Sequence, residues 1–168
     1  MVSISNRQVE AEDGFMQVGD TIEDFTLHNE NDETVRLSDY KGKPVVLFFY
    51  PRADTPGCTI EACGFRDTFK KLQKAGVEVL GISRDTPKAQ KKFKEKYDLP
   101  YTLLADVDER VCNQFGVMKD KNMYGKKVRG IERSTFLIGP DRKLKHIWAK
   151  VKPEGHAEEV LATIKSAK

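Results

Sequence analysis

The sequence predicts an α/β domain: a mixed central β-sheet with helices on both faces and a β-hairpin on its N-terminal side. Three observations predict it. Residues 45–50, 77–83 and 135–138 read as strands buried in a core. The segments between the first strands carry apolar residues at helical spacing. Toward the C-terminal end, a Gly139-Pro-Asp-Arg142 turn joins two strand-like runs directly, which requires an antiparallel pair beside the parallel ones.

Taken in order, residues 24–28 and 34–37 alternate polar and apolar side chains around turn residues 29–33, the pattern of a hairpin. Residues 45–50 are continuously apolar and are closed by Pro51. From about Cys58 to Lys74, Ile60, Cys63, Phe69 and Leu72 fall near one helical face, and Gly76 ends the segment. Glu61, one turn after Cys58, is expected on the solvated side. Pro87 opens a second helix with Phe93 and Tyr97 four apart. A short strand at 101–105 and a short helix at 107–115 follow, the latter ending at Gly116. Residues 119–130, basic but interrupted by Asp120, Asn122 and two glycines, read as a solvated loop. Residues 144–151 pair antiparallel with 135–138, and Val160, Leu161 and Ile164 give a terminal helix its apolar face.

At 168 residues, with 39% apolar and 33% charged, the chain suits one domain over 15–168 preceded by a polar, poorly ordered extension at 1–14. No apolar run approaches the roughly 18 residues of a membrane span, and the first residues lack the apolar region of a secretory signal, so a cytoplasmic protein is expected. A net charge of +3, without basic residues clustered among stacking aromatics, gives no nucleic-acid signature. Three cysteines form no disulfide framework. His28, His146 and His156 match no ligand spacing with them, so no metal is expected.

The chemistry gathers in Pro51-Arg-Ala-Asp-Thr55-Pro-Gly-Cys58. A buried strand ends, the chain turns, and a helix starts at or near a cysteine. A helix N-terminus carries unpaired N–H donors and partial positive charge, which favour a thiolate, the nucleophilic form of cysteine. Thr55 stands three residues before, within reach of the sulfur or of an incoming oxygen, and Gly57 leaves room for a substrate. Taken alone, the residues also fit an ordinary helix start, with Thr55 as cap and Cys58 as a small buried hydrophobe.

Pro51, Thr55 and Cys58 spell P-x-x-x-T-x-x-C, which resembles the active-site motif of the peroxiredoxins. The longer run FFYPRADTPGCTIEACGFRD, together with ERSTFLIGPDRKLKHIWAKV and EGHAEEVL, is similar to the bacterioferritin comigratory protein/peroxiredoxin Q branch from about Val18 onward. The resemblance implies a thioredoxin-like fold and a thiol-dependent peroxidase needing no cofactor. Its substrates would be hydrogen peroxide and organic hydroperoxides, and its reductant thioredoxin or a similar dithiol. It implies that Cys58 is the peroxidatic cysteine, oxidised to a sulfenic acid, and that Cys63 resolves it as a disulfide. Thr55 would hydrogen-bond the thiolate and peroxide, Pro51 would shield the sulfenate, and Arg133 would hold the thiolate and polarise the peroxide. Members of this branch are often monomeric, and a monomer is expected.

Cys58 and Cys63 are five residues apart. In a regular helix that spacing separates their Cα atoms by roughly 8 to 9 Å, beyond the ~7 Å reach of a disulfide. Resolution by Cys63 therefore demands that the first turn and a half unwind, which Gly64 would ease. Three alternatives stay open: Cys63 packed near Ile60 and Phe69, with an external thiol resolving in a one-cysteine cycle; Cys112 as partner in place of a core residue; and a peroxide sensor or holdase built on the same switch. A thiol–disulfide oxidoreductase would normally carry C-x-x-C, which is absent.

Overall fold

The computed structural model describes residues 16–166, so the expected extension at 1–14 lies outside the described residues. The chain runs β1 (Thr26–Asn29), β2 (Thr34–Arg36), a 3-10 turn (Leu37–Tyr40), β3 (Val45–Phe49), α1 (Pro56–Lys74), β4 (Glu78–Ser83), α2 (Pro87–Tyr97), β5 (Thr102–Ala105), α3 (Arg110–Gln114), β6 (Met118–Met123), β7 (Lys126–Ile131), β8 (Ser134–Ile138), β9 (Leu144–Trp148) and α4 (His156–Ser166). Seven strands form one mixed sheet in the order β2-β1-β5-β4-β3-β8-β9. β3, β4 and β5 are parallel, joined by the crossover helices α1 and α2, while β1 and β8 close the parallel core antiparallel on either side. The predicted N-terminal hairpin is β1–β2, with Leu27 opposite Val35.

All five β3 residues are buried because the strand has a neighbour on each edge and a helical layer on each face. Val45, Leu47 and Phe49 pack toward Val111, Cys112 and Phe115 around α3. Val46 and Phe48 pack on the other side against Ala62, Phe65 and Leu72 of α1, Phe93 of α2 and Val160 and Ile164 of α4. Each such Leu or Phe contributes about 1.5–3 kcal/mol on leaving water. The Phe48 ring stacks on Phe65 at 4.6 Å and fixes α1 on the sheet. Gly81 permits this: a Cβ there would stand 2.9 Å from the Phe48 ring and from Leu103.

Residues 119–130 are not the solvated loop that composition suggests. They lie almost wholly in a separate β6–β7 hairpin, with Lys119 opposite Gly130 and Lys121 opposite Val128. Tyr124 and Gly125 both take positive φ at its tip (53° and 78°), the backbone of a two-residue hairpin turn. Most β7 side chains are exposed, so the apolar alternation that marks a half-buried strand is missing.

Candidate active site

The site begins where β3 leaves the sheet. Tyr50 extends the pairing through its N–H to Ile82 O (3.0 Å), and its hydroxyl donates to Gln90 Oε1 at 2.5 Å. Gln90 Nε2 donates in turn to Ser83 Oγ (3.0 Å) and Leu104 O (2.8 Å). Ser83 Oγ donates to Asp85 Oδ2, which also accepts the Ala53 N–H at 2.8 Å. This polar chain ties the loop that opens at half-buried Pro51 to the tips of three strands. From α2, Lys96 Nζ and the Tyr97 hydroxyl clasp the Asp54 carboxylate at 2.9 and 2.8 Å. Those hydrogen bonds hold its carboxyl below the ordinary range and pin a residue with φ of 60°.

Thr55 follows as the N-cap of α1, with extended backbone and no side-chain cap bond. Its hydroxyl donates to Arg52 O at 2.9 Å. The single hydroxyl proton is thus committed to the loop, leaving the oxygen lone pairs free to accept. Pro56 occupies the first helical turn, and Cys58 lies one residue past Gly57. The N–H groups of Gly57 and Cys58 therefore belong to the unpaired first turn of a 19-residue helix with no acidic residue in that turn. Cys58 is 1% exposed.

Arg133 comes from the connection between β7 and β8. Its charge interacts with Cys58, and its Nη1 donates to Glu61 Oε1 at 2.8 Å. Gly57 serves this approach: a Cβ there would lie 3.0 Å from Arg133 Nη2 and 3.5 Å from Pro153. The glycine makes room for the guanidinium, where the sequence suggested room for substrate.

Glu61 is the largest departure from expectation. Far from being solvated, its side chain is fully buried against Arg133. Burial pushes the carboxyl up to about 7, although the adjacent guanidinium pulls it down. Ile60, assigned to the apolar face, is instead 44% exposed. The inner face of α1 is Cys58, Glu61, Ala62, Phe65, Thr68 and Leu72, turned from the expected register. Cys63 is half-buried and unbonded, five residues from Cys58 on an uninterrupted helix. Gly64 sits where α1 meets α4, with Ala157 Cβ 3.6 Å from the position of an added Cβ.

Two other contributors had no sequence signal. Lys121 on β6 donates to Ile131 O at 2.5 Å, two residues before Arg133. Burial and the Arg133 charge lower its pKa, and its charge is coupled to Cys58. The Tyr101 hydroxyl donates to Ala62 O at 2.6 Å, bracing α1 between the two cysteines. Cys112 is a core residue, as expected. Its N–H donates to Asp106 at 2.6 Å, and burial, followed by that carboxylate, pushes its thiol far above the ordinary range. Tyr50 and Trp148 are likewise core aromatics.

Comparison with known proteins gives the family. Residues 18–147 match the AhpC/TSA family. A putative peroxiredoxin Bcp of Coxiella burnetii is 54% identical over 89% of this chain and 99% of its own length. The chain belongs to the AhpC/TSA family of peroxiredoxins. Among solved structures, a cysteine-to-serine variant of Xylella fastidiosa peroxiredoxin Q superposes with a TM-score of 0.87 at 39% identity, covering 90% of this chain and 97% of that one. The bacterioferritin comigratory protein of Xanthomonas campestris, described in complexes bearing on alkyl peroxide reduction, gives 0.81 at 41% identity over 85% and 91%. This peroxiredoxin has the thioredoxin-like fold of its relatives and is a thiol-dependent peroxidase, with peroxide substrates and a thiol reductant. No described helix is long and apolar enough to cross a membrane.

Gly57→Ala tests the fit around Arg133. The added methyl displaces the guanidinium by a few tenths of an ångström, while alanine is the better helix former. Unfolding stability is expected to hold or rise slightly, and the rate constant for peroxide to fall about tenfold, as misplaced catalytic groups do. Thermal denaturation and stopped-flow peroxide kinetics read the two effects separately.

Proposed function

We propose that this peroxiredoxin reduces hydrogen peroxide and organic hydroperoxides through Cys58, resolved by Cys63 and recycled by thioredoxin or a similar dithiol protein. The observation that carries the reading is one guanidinium, Arg133, packed on Gly57 at the start of α1, where its charge interacts with Cys58, and anchored from behind by Glu61. The Cys58 thiolate attacks the terminal peroxide oxygen, an S–O bond forms, and the O–O bond breaks. The alkoxide or hydroxide leaves with a proton as ROH or water. Arg133 and the first-turn N–H groups stabilise the negative charge as it moves from sulfur to the leaving oxygen. Thr55, its proton held by Arg52 O, accepts a hydrogen bond from the peroxide O–H and orients it. Pro51 covers the sulfenate from the loop.

In the second half-reaction, the Cys63 thiolate attacks the sulfenic sulfur, an S–S bond forms as the S–O bond breaks, and the departing hydroxide takes a proton from solvent to leave as water. Because α1 is continuous across both cysteines, its first turns unwind for this step. The partner dithiol then reduces the bond and α1 re-forms. The Xanthomonas campestris relative's alkyl peroxide reduction supports organic hydroperoxides as substrates. We place the enzyme in the cytoplasm as a monomer, a single domain over 15–168 after a polar extension.

Peroxide consumption driven by thioredoxin, thioredoxin reductase and NADPH tests the cycle. Cys63→Ser is expected to stop thioredoxin-driven turnover while allowing one oxidation of Cys58 per molecule. Normal cycling of that variant would transfer resolution to an external thiol.

A further inference from the structure

Glu61 lies between the two cysteines, on the segment that unwinds, and its environment gives that motion a proton balance. Its Oε1 accepts from Arg133 at 2.8 Å, while its Oε2 is buried and, among the described residues, has no hydrogen-bond partner. A carboxylate with one oxygen unsatisfied in the interior is held at a cost, and protonation relieves it.

We propose that unwinding of the Cys58–Cys63 segment releases a proton from Glu61, so that α1 opens more readily as pH rises toward and through neutrality. This deepens the reading of Cys63 as the resolving cysteine and rests on it for its catalytic meaning. The opening itself does not require Cys63 to react.

In the helical form, burial first and the opposing Arg133 charge second leave the carboxyl at about 7. Unwound into water, it returns to about 4.3. A group whose folded pKa is raised stabilises the folded form fully below the unfolded value. That contribution is lost as pH rises toward the folded one. The helical segment is therefore tightest in acid, loosens up to about pH 7, and then levels off.

The groups around Glu61 leave this window to it. Arg133 faces it from the β7–β8 connection and stays charged. Tyr101, at the entrance to β5, has its phenol pushed well above 10 by burial and stays neutral. Cys58 and Cys63 share its helix. His156 of α4 and Lys121 of β6 are coupled to Arg133. Tyr101 also provides a control, because its bond to Ala62 O restrains the same segment without titrating near neutrality.

Hydrogen exchange of residues 59–65 in the reduced full-length protein reads the opening directly, once corrected for the intrinsic pH dependence of exchange. From pH 6 to 8 the opening equilibrium of the wild type is expected to rise roughly tenfold. Glu61→Gln is expected to flatten that rise, since thiols common to both proteins cancel in the comparison. Tyr101→Phe is expected to raise opening at every pH and keep the wild-type slope. A flat wild-type profile, or a Glu61→Gln profile as steep as wild type, overturns the proposal. Mass spectrometry of the peroxide-treated protein is a separate measurement. Absence of a Cys58–Cys63 disulfide there would remove the resolving role and the catalytic meaning of the proton linkage, whereas the exchange profile would still decide the linkage.

Discussion

Cys58→Ser is expected to lower peroxide turnover by about 10⁴–10⁶-fold, the scale of loss when a covalent nucleophile is removed, without unfolding the protein. The side chain is 1% exposed and its neighbours leave little slack, but serine is slightly smaller than cysteine. The Arg133 guanidinium beside Gly57 remains to offer the serine oxygen a donor, which limits the cost of burying a hydroxyl there. Neither remaining thiol can substitute. Cys112 sits across the sheet in the cluster with Val111 and Phe115, with its thiol pushed far up by burial and by Asp106. Cys63 lies beyond the first turn, away from the unpaired N–H groups. Steady-state peroxide consumption, with a thermal melt as control for folding, checks both halves. Residual activity of several per cent in a well-folded variant would move the nucleophile elsewhere.

The central fold was readable because its signals are local. An apolar run closed by Pro51, a helix opened by Pro87 and a Gly139-Pro turn each state their structure within a few residues. The β6–β7 hairpin was not, because a strand exposed on most of its length carries no alternation; its only mark was the Tyr124-Gly125 turn. The same limit applied inside the site. Cys58, Thr55 and Pro51 are close in sequence, so their shared loop could be foreseen. Arg133 is reached only through the family resemblance, since nothing in its own segment points to residue 58. Sequence alone puts Glu61 outside, because a charged side chain is almost never fully buried without a partner. Its partner is 72 residues away in sequence. With that cation present, Glu61 turns inward, Ile60 turns outward, and the helix face predicted from hydrophobicity rotates accordingly. Thr55 shows a finer version: its position was legible, but not that Arg52 O would take its proton.

Arg133→Met carries the second large effect, and it acts on chemistry and stability together. Loss of the cation at the sulfur is expected to slow the reaction with peroxide by about 10²–10³-fold, as for other donors aimed at a developing oxyanion. It also strands Glu61, whose carboxyl is then buried with neither oxygen paired. Removing one partner of a buried pair commonly costs about 3–5 kcal/mol. Here the cost should depend on pH with a definite sign. Arg133 is the group that draws the Glu61 carboxyl down toward 7, so without it the folded-state pKa rises further. Stability held by the neutral carboxyl is complete in acid and is lost as pH climbs through that higher value. The variant should therefore be nearest to wild type around pH 5 and fall progressively behind above pH 7, where wild type has levelled off. Denaturant unfolding across pH 5–9 measures this directly. Adding Glu61→Gln to Arg133→Met removes this titrating group, so the extra loss of stability above pH 7 should vanish and much of the stability return while peroxide reactivity stays low. That split assigns catalysis to the guanidinium at the sulfur and the structural penalty to the carboxylate behind it. Recovery of activity in the double variant would show that Arg133 acts chiefly by neutralising Glu61.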